Sequence, residues 1–95
     1  MTFDARSCGA RIKELRLRNR LTQERLARDM NITDVHLRRI ESGNRGASME
    51  LLIEFAEYFQ VSLDYLFLGK SSRANEVKQE LNEIKAHLDR IIRSL

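Results

Sequence analysis

Apolar residues in this chain recur every three or four positions along most of its length, which is the period of an amphipathic α-helix. Residues that favour β-strands never alternate with polar residues over a long enough stretch to form a half-buried strand. Proline is absent, and only four of the 95 residues are glycine. We therefore predict an all-α protein that is long enough for one compact domain with a small core.

Capping residues divide this pattern into six helices. Thr22, Thr33, Ser48 and Ser62 each precede an apolar stretch and are of the type that begins helices. Asn31 is expected to end the second helix in a left-handed conformation, and the tight turn that follows predicts a helix-turn-helix unit. In order, the helices are expected over about residues 7–19, 23–30, 33–42, 49–59, a short stretch after Ser62, and 73–95.

The third helix is expected to present an arginine-bearing face to solvent. At 100° per residue, Leu37 and Ile40 define its buried direction. The opposite face consists of Val35, Arg38, Arg39 and Ser42. Arginine can pair with guanine or hold phosphate, and a valine methyl can contact the methyl group of thymine. Asp34, near the helix start, can accept a hydrogen bond from cytosine but repels phosphate. Without further context, this face would be interpreted as solvated arginines beside an exposed valine.

Four motifs stand in order at characteristic separations: RIKELR (11–16), LTQERLA (21–27), IESG (40–43) and VSLDYL (61–66). On these motifs the chain resembles the Cro/repressor-type, or XRE-like, helix-turn-helix family over about residues 7–69. The resemblance implies a five-helix domain that binds operator DNA, usually as a dimer. We therefore expect a DNA-binding domain over residues 1–69 and a dimerisation helix over residues 70–95.

The resemblance also implies roles for individual residues. Gln23 matches the position that binds a backbone phosphate and braces the recognition helix, and Arg16 and Glu41 match a partly buried salt bridge. The residues that match DNA-contacting positions are Gln23, Thr33, Asp34, Val35, Arg38, Arg39, Asn44 and Arg45. The chain departs from the family pattern at Asn31, where glycine is usual, and at Ala47, where proline is frequent. Asp34 also stands where a neutral or basic residue is common, which puts a simple phosphate or purine contact there in doubt.

The last helix carries an apolar heptad repeat that needs a partner. Its apolar positions are Val77, Leu81, Ile84, Leu88, Ile91 and Leu95. We expect it to be an amphipathic, coiled-coil-like helix that dimerises the chain. Glu80 and Lys85 would pair between parallel copies, although antiparallel pairing and higher oligomers stay open. The alternative is that the helix folds back on its own domain.

Charge and composition exclude several other classes. Residues 1–45 carry 11 basic and 6 acidic side chains, within a chain of net charge +3, so the basic half can face a polyanion. The single Cys8 excludes an internal disulfide, and the chain has no apolar run near 18 residues and no apolar block of a secretory signal. His36 and His87 lie on different helices, and neither they nor Cys8 form a recognisable metal or catalytic motif.

Together these observations predict a cytoplasmic, non-enzymatic, sequence-specific DNA-binding transcriptional regulator without a metal, a cofactor or an evident small-molecule effector. We expect it to act as a repressor that binds double-stranded DNA as a homodimer. The homodimer would bind a two-fold symmetric operator, and each copy would place its third helix in the major groove. The alternative is an antitoxin or protein-interaction module whose last helix binds a different protein.

Overall fold

A computed structural model describes residues 4–70 and 73–95, and within these ranges all regular secondary structure is helical. The helices are α1 (Ala5–Arg18), α2 (Gln23–Asp29), α3 (Asp34–Ser42), α4 (Met49–Phe59), α5 (Leu63–Leu68) and α6 (Arg73–Arg93). The all-α prediction is confirmed. None of these helices combines the length and the apolar character needed to cross a membrane.

The four predicted N-caps are present. The side chains of Thr22, Thr33, Ser48 and Ser62 each accept a hydrogen bond from a backbone N–H three residues later, over 3.0 to 3.1 Å. Their local geometry therefore sets where α2 to α5 begin.

The first helix begins earlier than predicted. Asp4 is its N-cap, accepting a hydrogen bond from the Arg6 backbone over 3.0 Å and another from the Ser7 hydroxyl over 2.7 Å. These two bonds also hold the pKa of the Asp4 carboxyl below its usual value. Ser7, the expected start, is instead one of the groups that the true cap binds.

Residues in the left-handed conformation lie at the ends of several helices, and three of them redirect the chain after α2, α3 and α4. Asn31 has φ 59° in the turn between α2 and α3, as predicted, and the Ile32 N–H donates to the Ala27 carbonyl over 2.9 Å. Gly43 ends α3 with φ 80°, and Gln60 ends α4 with φ 57°. These sharp ends bring α2, α3 and α4 onto one core.

The core is formed by the apolar faces of α1 to α5. Its large, fully buried side chains are Ile12, Leu15, Leu26, Leu37, Leu52, Phe55, Phe59 and Leu66. Helices α1 and α3 come very close at Gly9, where an added Cβ would overlap the Ile40 carbonyl oxygen and lie 3.0 Å from that of Glu41. This close approach fixes α3 against α1.

The last helix lies against the domain through polar side chains. Asn75 donates to the Ser62 hydroxyl over 3.1 Å, and Asn82 donates to the Phe59 carbonyl over 3.4 Å. The Arg18 Nε atom lies 2.6 Å from the Glu83 carboxylate. The apolar heptad positions are on the other side of α6, each between 43% and 99% exposed. The helix therefore folds onto its own domain without covering its apolar residues.

Candidate nucleic-acid interface

Helix α3 projects its arginine-bearing face from the domain, in the orientation that its periodicity predicts. Leu37 and Ile40 are 0% and 2% exposed, whereas Val35 is 49% exposed. Arg38, Arg39 and Ser42 are also exposed. The buried leucine and isoleucine hold the helix on the core, so the opposite side is free to meet a ligand.

A concavity of about 430 Å³ lies beside this face. It is lined by Lys13, Gln23, Val35, Arg38, Arg39, Glu41, Ser42 and Asn44. The structure therefore brings together residues from α1, α2, α3 and the loop after α3. Three of the lining side chains are cationic and one is anionic, so the surface favours a negatively charged ligand.

A buried ion pair fixes the wall of this concavity. Arg16 Nε and Glu41 Oε2 are 2.7 Å apart, and Arg16 Nη2 donates to Glu41 Oε1 over 3.1 Å. Arg16 also donates to the Leu21 carbonyl over 3.0 Å, which ties the end of α1 to the turn before α2. The Gln23 side-chain amide donates to Glu41 Oε1 over 3.1 Å. The start of α2 is thereby held against α3.

Comparison with known proteins identifies the family to which this helix-turn-helix arrangement belongs. A family model described as helix-turn-helix matches residues 12–66. An uncharacterized HTH-type transcriptional regulator, YqaE, from Bacillus subtilis (strain 168) is 32% identical over 80 residues. That match covers 81% of this chain and 69% of the relative. This chain belongs to the XRE-type helix-turn-helix family. The family consists of DNA-binding transcription regulators and is generally non-enzymatic.

Five of the eight residues that the XRE resemblance marks as DNA-contacting line the concavity: Gln23, Val35, Arg38, Arg39 and Asn44. The other three lie outside it. The Thr33 hydroxyl caps α3, Asp34 lies on the first turn of α3, and Arg45 is exposed in the following loop. The Arg45 backbone N–H donates to the Arg39 carbonyl over 3.2 Å, which holds the loop close to the end of α3.

The two arginines of α3 differ in their surroundings. Arg38 Nη2 donates to Asp34 Oδ2 over 3.0 Å, one helical turn away, and both side chains are largely exposed. Arg39 has no ion-pair partner within residues 4–70 and 73–95. Arg39 can therefore turn its whole guanidinium group to a ligand, whereas one nitrogen of Arg38 is already engaged.

Lys13 is the lining residue that sequence reasoning missed. It lies on α1, three positions before Arg16, and residues at this spacing share a side of a helix. The spacing from Arg16, which the resemblance placed against α3, was the available signal.

The remaining chemistry-bearing residues do not form a second centre. Cys8 is buried, and its burial raises the pKa of the thiol. Within the described ranges, no three His, Cys, Asp or Glu side chains converge in the way a metal ion requires.

Proposed function

We propose that the protein is a sequence-specific transcriptional repressor that binds a two-fold symmetric operator as a homodimer, with α3 in the major groove. Residues 1–69 would bind DNA, and residues 70–95 would join two copies. One observation carries the proposal: the exposed arginines of α3 share a single concavity with Gln23 and Asn44. A major groove about 12 Å wide admits one helix with such a face.

The contacts divide into base reading and phosphate binding. Arg39, with its guanidinium unengaged, is suited to paired hydrogen bonds with guanine, and Val35 is suited to a thymine methyl. Gln23, Asn44 and Arg45 lie at the edges of this face, where the DNA backbone passes in this docking mode. Phosphate contacts would give salt-sensitive affinity, and base contacts would give selectivity.

Selection of bound sites from random DNA would supply the operator for a direct test. On the selected duplex, Arg39→Ala should lose about 1–3 kcal/mol of binding free energy and relax one base position, with a smaller loss on random duplex. Arg45→Ala should weaken binding to both duplexes and flatten the salt dependence. Arg28→Ala, which removes an exposed cation outside the concavity, is the matched control. Equal losses for Arg39→Ala on both duplexes would show that Arg39 only holds phosphate.

The exposed stripe of α6 supports self-association. It consists of Val77, Leu81, Ile84, Leu88, Ile91 and Leu95, and it faces away from the polar side that contacts the domain. Burying such a stripe between two copies removes apolar surface from water. A two-fold symmetric dimer also matches half-sites about 34 Å apart.

The charges that flank the stripe favour parallel helices. In a parallel pair, Glu80 lies opposite Lys85 of the second copy, on both sides of the seam. An antiparallel pair that keeps the same apolar layers places the two Lys85 side chains together beside the symmetry axis. Opposite charges therefore flank the parallel pair, whereas like charges flank the antiparallel pair.

Sedimentation of the full chain tests this interface. Leu81→Glu with Leu88→Glu should abolish self-association, because both side chains are exposed and neither supports the contact with the domain. Arg90→Gln with Arg93→Gln changes the net charge equally, on the side of α6 away from the stripe and its flanking positions, and should leave association intact. Retained association of the first variant would contradict the proposed seam. A wild-type chain that stays monomeric would instead favour the interaction-module alternative, in which another protein covers the stripe.

A further inference from the structure

A second cleft, of about 460 Å³, lies between α6 and the body of the domain. The domain supplies the α1–α2 turn, the start of α2 and Tyr58 of α4, and α6 supplies the other wall. Its cationic lining residues are Arg20, Arg25, Lys85, Arg90 and Arg93. This cleft shares no lining residue with the concavity beside α3.

The cleft concentrates positive charge. Five of its lining side chains are cationic and one, Asp89, is anionic, which gives the lining a net charge of 5 − 1 = +4. The net charge of the whole chain is only +3. Arg25 is paired with Asp29 over 3.2 Å. The remaining cations, which have no ion-pair partner within residues 4–70 and 73–95, are Arg20, Lys85, Arg90 and Arg93. Such unpaired like charges around one space repel each other until an anion enters.

The wall opposite α6 is well fixed. The Tyr58 hydroxyl donates to Asp29 Oδ2 over 2.7 Å, and the Tyr58 ring packs edge-on against Phe59 with centroids 4.9 Å apart. The same Asp29 carboxylate holds Arg25. Arg25 and Tyr58 therefore keep their places without a ligand, while the unpaired arginines on the turn and on α6 remain free to bind one.

We propose that this cleft binds a small anion carrying several phosphate groups. The volume lies within the range of small-ligand sites, about 300–1,000 Å³. Arginine forks match phosphate oxygens. A ligand of charge near −4 would neutralise the lining of a single chain, and one near −3 would do so where Lys85 pairs with Glu80 of a second copy. A bound polyphosphate would bridge the α1–α2 turn to α6 and so hold α6 on the domain.

Calorimetric titration of the full chain with inorganic triphosphate, at constant ionic strength and without DNA, tests the site. We expect saturable binding of one triphosphate per chain. Arg90→Gln with Arg93→Gln should weaken it about tenfold or more, since each arginine supplies charge-assisted hydrogen bonds. Arg73→Gln with Lys78→Gln removes the same charge from α6 outside the cleft and should leave the dissociation constant unchanged. Arg20→Gln, on the domain wall, should weaken binding without altering α6.

Three results would overturn the proposal. The first is a titration without saturable binding, and the second is equal weakening of binding by the Arg90/Arg93 and the Arg73/Lys78 double variants. The third is wild-type affinity in both the Arg20→Gln variant and the Arg90/Arg93 double variant. A further measurement distinguishes whether the cleft binds a free polyphosphate or the phosphates of a DNA duplex. Without triphosphate, the Arg90 and Arg93 variant should bind a mixed-sequence duplex with the wild-type salt dependence. A flattened salt dependence would assign the cleft to duplex phosphates and refute the small-ligand site. Since the titration contains no DNA, it can show triphosphate binding even if the protein does not bind an operator as proposed.

Discussion

Replacing Gly9 by alanine should test how the recognition helix is held. The new Cβ would overlap the Ile40 carbonyl oxygen, a backbone atom of α3 that has no rotamer by which to move away. To restore a carbon–oxygen contact of about 3.3 Å, α1 and α3 would have to separate by on the order of 1 Å. The same movement would stretch the Arg16–Glu41 pair, whose closest atoms are 2.7 Å apart.

Two effects of opposite sign determine how much Gly9→Ala changes the free energy of unfolding. Alanine is favoured over glycine inside a helix by about 1 kcal/mol. Overpacking a core costs about 1–3 kcal/mol, and a clash with backbone belongs at the upper end of that range. The free energy of unfolding should therefore fall by about 2 kcal/mol, which lowers the melting temperature by about 10 °C for a domain of this size.

Thermal unfolding followed by circular dichroism measures the effect at a fixed chain concentration. Gly46→Ala is the matched control, because an added Cβ there meets only the Ala5 Cβ at 4.0 Å. Its free energy of unfolding should change by no more than about 0.5 kcal/mol. A Gly9→Ala protein that melts at or above the wild-type temperature would refute the close crossing of α1 and α3.

Three further perturbations probe buried groups. Glu41→Ala should lower the free energy of unfolding by about 3–5 kcal/mol in urea titrations, because it leaves the Arg16 guanidinium buried without its carboxylate; a loss below about 1 kcal/mol would contradict this. Burial and the bond to Asp29 raise the pKa of Tyr58 from 10.0 to about 12, so its stabilising effect is complete below pH 10 and is lost as the pH rises towards 12. The melting-temperature advantage of the wild type over Tyr58→Phe should accordingly shrink as the pH rises from 10 towards 12, and a constant advantage over that range would exclude this role. Cys8 should react with a thiol reagent at pH 8 far more slowly in the native protein than in urea, since burial raises the pKa of its thiol; equal rates would show that it is accessible.

Local chemistry explains why most helix boundaries could be predicted. An N-cap such as Ser48 acts on a backbone N–H only three residues away, so its effect can be anticipated without tertiary structure. The start of α1 was harder, because Asp4 and Ser7 are both capable of capping and only their mutual hydrogen bond shows which one does so. The importance of Gly9 depends on the carbonyl of a helix about 30 residues later and has no local signal beyond an unfavourable glycine in a helix.

The candidate site divides in the same way. The exposed side of α3 follows from periodicity alone, which is why the predicted orientation of Arg38 and Arg39 agrees with the structure. The concavity requires the packing of four segments, so the position of Lys13 beside α3 emerged only from the fold. The Asp34–Arg38 pair is intermediate, because its i to i+4 spacing permits the contact without requiring it.

The last helix shows that folding back and self-association are compatible. The heptad repeat predicted an apolar stripe, but it could not show that the opposite, polar side would lie on the domain. One group in that polar contact is unsatisfied: Gln79 is 6% exposed, and its side-chain nitrogen has no hydrogen-bond partner among the described residues, which costs about 1–3 kcal/mol. In the proposed dimer, α6 would join two copies on one side and rest on the domain through polar side chains on the other, so its position on the domain would set the separation of the paired α3 helices. An anion that bridges Arg20 to Arg90 would stiffen that seating and narrow the range of half-site spacings that the dimer can bind.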